Sequence, residues 1–69
     1  MNFYPLCAAR PTPQNAEVIG MMLTALIRGG FSFQVTTGAI IVDVTVECLG
    51  ENQMEEIRCG LSGYIALLI

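Results

Sequence analysis

Few residues in this chain could do acid–base, nucleophilic or metal chemistry. It carries six carboxylates, three arginines and three cysteines, with no histidine and no lysine. Asp43 and Glu47 fall on one side of an alternating run. Four residues of strand hold them ~13 Å apart, too far for a carboxylate pair flanking a glycosidic bond. Glu51, Glu55 and Glu56 form an acidic cluster, and hard cations do take carboxylate oxygens. A solvated helix start explains the cluster more simply. Gly60-Leu61-Ser62-Gly63 resembles a nucleophile elbow, but the second glycine is misplaced and no histidine can activate the serine. It reads as a helix end. Without histidine the commonest general base is missing; without lysine there is no Schiff base and no P-loop. The expectation is therefore no catalytic residue, no metal ligand and no cofactor-binding residue, and a chain that is not an enzyme.

Binding chemistry is also restricted. The net charge is −3, and the basic residues, Arg10, Arg28 and Arg58, are scattered. Phosphate backbones require clustered positive charge, so no nucleic acid is expected. RGGFSFQV, residues 28–35, has aromatics reminiscent of an RNA-binding strand. Phe31 and Phe33 share a face with hairpin valines, however, and read as core. Cys7, Cys48 and Cys59 are an odd number at unrelated spacings, which suits reduced, buried thiols better than a disulfide framework. A Cys48–Cys59 bridge is the minor alternative. The first residues lack a basic start and a long apolar run, and LSGYIALLI at the end falls short of the ~20 apolar residues a bilayer demands. A soluble cytoplasmic protein with no membrane contact is expected.

The elements follow from periodicity. NFYPLCA is a short strand, and Pro5 confines it to a sheet edge or an irregular strand because it has no ladder donor. Thr12 and Pro13 are an N-cap and first turn for the helix QNAEVIGMMLTALIR. Its core stripe is Ile19, Met22, Leu23 and Leu26, and Gly29-Gly30 ends it. Met21 and Met22 read as core filling before an adaptable binding surface. FSFQVTTGAIIVDVTVEC alternates cleanly. A turn at Thr37-Gly38 pairs Val35 with Ile40, Phe33 with Val42 and Phe31 with Val44, all on one face. The second strand then overhangs the first over residues 45–49, a template for residues 2–8 of the same chain or for a second molecule. Asn52 caps a second helix with Glu55 as capping-box partner, and Met54, Ile57 and Leu61 form its stripe. Beyond Gly60 and Gly63 the chain forms either a last strand, which the glycines favour, or more helix, which Ala66, Leu67 and Leu68 favour.

Sixty-nine residues make a single domain, 1–69. The preferred reading is a two-layer α+β fold of ferredoxin-like order, β-α-β-β-α-β, with an antiparallel sheet and two helices on one face. The alternative is β-α-β-β-α with a long C-terminal helix. Such folds host many functions.

Function is read from composition. Fifty-four per cent of residues are hydrophobic and 13% charged, more apolar surface than a domain burying only ~60% of its unfolded area can hide. Large apolar remainders mark contact sites. The expectation is a small non-enzymatic interaction protein that binds and modulates or inhibits a larger protein. Chains of this kind resemble accessory proteins of phages or mobile elements. The second expectation is a small-molecule-sensing regulatory domain binding its ligand at a dimer seam, with Gly29-Gly30 or Gly50 giving access to backbone. The overhang, Thr45, Val46, Glu47, Cys48 and Leu49, is the expected self-association strand of a homodimer. Arg28, Asp43 and Glu47 are the expected partner-binding residues, drawn from exposed polar positions that also include Glu17, Glu55 and Arg58.

Overall fold

The computed structural model describes residues 2–68. The chain forms β1 (Asn2–Ala9), α1 (Pro13–Arg28), β2 (Phe33–Thr37), β3 (Val42–Cys48), α2 (Glu51–Gly60) and α3 (Ser62–Leu68). The fold is α+β, with a three-stranded antiparallel sheet in the order β1-β3-β2. Both outer strands run antiparallel to β3, so β1 and β2 are parallel to one another with β3 between them, joined by α1. Among the described residues no helix is long and apolar enough to cross a membrane.

The start of α1 is built as its sequence implies. Thr12 is extended, its Oγ1 accepts the Asn15 N–H at 3.0 Å, and Pro13 occupies the first turn. Met22 and Leu26 are buried, at 0% and 1% exposure, and Ile19 and Leu23 are half-buried beside them. The neighbouring methionines part company: Met21 is 50% exposed. Val44, Val46 and Cys48 of β3 meet α1, Met54 and Ile57 of α2, Leu61 and Leu68 in a single core. Alternation places Asp43, Thr45 and Glu47 on the opposite, uncovered face, half-buried only by their cross-strand neighbours.

Three expectations are corrected. The chain reverses at Ala39 and Ile40, with the Gly38 N–H donating to the Ile41 carbonyl at 2.8 Å, and not at Thr37-Gly38. Val35 therefore faces Val44 and Phe33 faces Val46. The displacement is four residues. Because four is even, every apolar side chain keeps its face, and periodicity cannot tell the two registers apart. The observed register extends the ladder as far as Ser32, whose carbonyl accepts the Glu47 N–H at 2.9 Å.

The overhang consequently does not exist. Thr45 pairs with Pro5 and Gln34, Val46 with Tyr4 and Phe33, Glu47 with Phe3, and Cys48 with Asn2. These residues form the centre of the sheet and have no free ladder positions for a second molecule. Leu49 lies just outside the strand.

The C-terminal segment is helix, not strand, so the ferredoxin-like six-element order is not formed. α2 starts at Glu51 with Gly50 as its cap, ahead of the expected Asn52. Gln53 reaches back instead, its Oε1 accepting the Leu49 N–H at 2.6 Å. The helical path breaks at Leu61 and resumes as α3, which packs on α1. A fourth strand would need a regular β1 edge, and β1 is irregular. Its pairing slips between Pro5 and Cys7, where Pro5 can donate no bond and Leu6 is turned into the core at 5% exposure. The displaced Pro5 carbonyl accepts from the Arg58 guanidinium at 2.9 Å. Ala66, Leu67 and Leu68 are strong helix formers and take the course left to them.

Candidate functional site

A largely apolar concavity lies where α1 ends and α2 faces it. α1 is closed by Gly29, and Gly30 follows at φ 77°, a conformation that glycine adopts without a Cβ penalty. This reversal lets the Phe31 N–H donate to the Leu26 carbonyl at 3.1 Å. It also folds the Phe31 ring back over the helix end. A Cβ on Gly29 would sit 2.7 Å from Cε2 of that ring, so the glycine is what allows the close approach. From the other side α2 presents Gln53, Glu56, Ile57 and Gly60, with Leu61 at its end. Together with Ala25, Leu26 and Phe31 they line a groove of about 310 Å³ that opens to solvent. Its floor, Leu26, Ile57 and Leu61, is apolar and part of the core.

Phe31 and Gln53 also line an adjoining hollow of about 180 Å³ with Ser32, Glu47, Cys48 and Leu49. Leu49 is 92% exposed, held in place by the bond from its N–H to Gln53. The site thus combines an apolar trough with a projecting leucine in the adjoining hollow. Of the carboxylates, Glu56 lines the trough; Glu47 borders the adjoining hollow, and Glu51 sits at the start of α2 beside Leu49 and Gln53. A trough with these linings can accept apolar side chains.

The sequence-derived candidates are dispersed. Arg28 lies at the end of α1 beside Met21, Thr24 and Tyr64. Asp43 is on the uncovered sheet face, between Ala8 and Thr36, and its Oδ1 is buried without a hydrogen-bond partner. Glu47 shares that face and alone of the three reaches the site. Of the self-association set only Cys48 and Leu49, with Glu47, border it. Phe31, Gln53 and Leu49 as a cluster were not legible. The one sequence signal was the glycine pair before an aromatic residue, and it makes room for the ring rather than for a ligand.

The thiols are free: Cys48 is buried, Cys59 exposed and Cys7 intermediate. The Cys7 thiol is held above its usual pKa by burial and, secondarily, by the Asp43 carboxylate. Among the described residues no three of histidine, cysteine, aspartate and glutamate gather as a metal site. Gly60-Leu61-Ser62-Gly63 is the break between α2 and α3.

Neither a protein-family model, nor a curated protein, nor a solved structure matches the chain.

Proposed function

We propose that this chain is a small non-enzymatic interaction protein that modulates a larger protein by holding one of its apolar segments in the α1–α2 groove. The observation that carries the reading is the apolar trough floored by Leu26, Ile57 and Leu61, with Leu49, 92% exposed, in the adjoining hollow that shares Phe31 and Gln53 with it. A solvated leucine beside a solvent-open apolar groove is the arrangement of an interface anchor next to its pocket. Glu56 in the trough and the net charge of −3 favour a partner segment with basic residues flanking its apolar ones, since opposite charge steers encounter and fixes register. The surface area agrees: the chain exposes 4631 Å², against ~4,200 Å² for a typical monomer of its mass.

The test uses two synthetic helical peptides with the same leucines, one with lysine and one with glutamate at its polar positions. Each is titrated into labelled protein and followed by amide chemical shifts. The expected result is saturable shifts at Phe31, Leu49, Gln53 and Leu61 with the lysine peptide alone, abolished by Leu49→Asp. Shifts spread evenly over the surface, or none at the groove with either peptide, overturn the proposal.

A further inference from the structure

We infer that two copies of the chain join through the free edges of β2, forming a continuous six-stranded antiparallel sheet about a two-fold axis at Val35. This inference does not depend on the groove reading, which uses a different surface.

It begins from the two edges of the sheet. An unpaired edge invites another strand, and proteins guard against this with proline, bulges and charge. The β1 edge carries such devices: Pro5 and the slip in register between Pro5 and Cys7. The β2 edge carries none. Phe33–Thr37 is regular, pairs without a bulge, and is exposed from Gln34 onward. No charged residue occurs from residue 29 to residue 42.

The hydrogen-bond pattern says which groups are free. In an antiparallel ladder alternate residue pairs exchange bonds, and the residues between turn their N–H and C=O away. The Ser32–Glu47 and Gly38–Ile41 bonds both belong to the even-numbered residues of β2. Phe33, Val35 and Thr37 therefore direct their backbone groups outward. A second β2 laid antiparallel about Val35 brings Phe33 opposite Thr37 of the other copy, Val35 opposite Val35, and Gln34 opposite Thr36. Every outward donor meets an outward acceptor, ~6 bonds over ~17 Å. The cross-strand neighbours are apolar or β-branched on the helix side and uncharged on the other, a favourable set. Val35, 41% exposed although it faces the helix layer, gains cover from its own image. A closed two-fold contact of this kind is self-complementary and stops at the dimer.

A seam five residues long is small, which puts association in the weak class, with a dissociation constant on the order of micromolar. Sedimentation equilibrium with reductant, from about 5 µM to about 1 mM, should show a monomer–dimer transition. Hydrogen exchange then locates the seam. The amides of Phe33, Val35 and Thr37 should slow by about tenfold or more between the dilute and concentrated ends, while Gln34 and Thr36 stay protected at both. Val35→Pro removes only an outward donor, so it should leave the fold intact and the chain monomeric throughout. Val35→Lys, which sets like charges face to face, should do the same if the proline variant fails to fold. A chain monomeric at the highest concentration overturns the inference and leaves the edge to a foreign strand. A dimer whose Phe33, Val35 and Thr37 amides do not slow, or that survives both substitutions, overturns it in favour of another seam.

Discussion

Met21 and Met22 offer a sharp test of the packing. They are adjacent, chemically identical and inside one helix, so propensity and unfolded-state effects of replacing either by alanine are the same. Only burial differs: Met22 is 0% exposed and Met21 50%. Met22 fills the centre of the layer between α1 and β1, with the Cys7 thiol 4.0 Å from its sulfur. Truncating a fully buried methionine removes its transfer energy and leaves a cavity, ~3 kcal/mol together. Truncating Met21 loses at most half of that burial and leaves no cavity, ~0.5 kcal/mol. A domain of this length has only ~3–10 kcal/mol in total. Met22→Ala should therefore lower the melting temperature by ~12–24 °C, and Met21→Ala by a few degrees at most. Thermal and urea unfolding followed by far-ultraviolet circular dichroism measure both. Equal losses, or a larger loss at Met21, would mean that the face of α1 turned to the sheet is wrongly placed, and with it the floor of the groove.

Four further outcomes follow from single contacts. Val46→Lys, on the overhang reading, would have loosened an assembly. With Val46 0% exposed between the sheet and the helices, it should instead abolish cooperative unfolding, since an unpaired buried charge costs more than the domain can offset. Thr12→Ala removes the cap on the Asn15 N–H and should cost ~1 kcal/mol, recovered in large part by Thr12→Ser. Arg58→Met keeps the aliphatic stem but leaves the Pro5 carbonyl without its donor. It should cost ~1 kcal/mol and speed amide exchange around the β1 bulge. The Cys7 pKa is raised in the folded chain, so the folded state holds its proton more tightly than the unfolded one. Its contribution is present in full below about pH 9 and declines as pH rises through the folded value. Cys7→Ala should flatten the alkaline fall in stability; an unchanged slope would refute the assignment.

Local chemistry was legible and non-local choice was not. Thr12, Pro13 and the Gly29-Gly30 pair bound α1 correctly because caps act within a few residues. The faces of β2 and β3 were legible because side-chain alternation depends only on parity. The register was not, because two alignments four residues apart satisfy the same parity. What separates them is how far β3 can pair on both sides at once, which involves residues 2–5 as much as the hairpin. The C-terminal segment was open to two readings for a similar reason, and the structure takes the helical alternative over the preferred strand. Gly60 and Gly63 suggested a stop, and a stop occurs, but only as a kink at Leu61. Which of helix or strand follows is decided by packing partners such as α1, more than thirty positions away, which local sequence does not report. The groove needed both results, since it exists only where the end of α1, Phe31 and α2 converge.

Pro5 connects these features. It denies β1 one ladder donor, and the adjacent slip turns Leu6 into the core and exposes a carbonyl that Arg58 of α2 takes up. α2 is thereby tied to β1. Beside that irregular edge the last residues pack on α1 as α3. A helix layer of three segments then lies over a sheet of three strands, ~14 Å across, narrower than the ~20 Å of two helices side by side. The β2 edge, regular and uncharged, is the side of the sheet left without a guard. One residue in the first strand thus bears on the core through Leu6 and on α2 through Arg58.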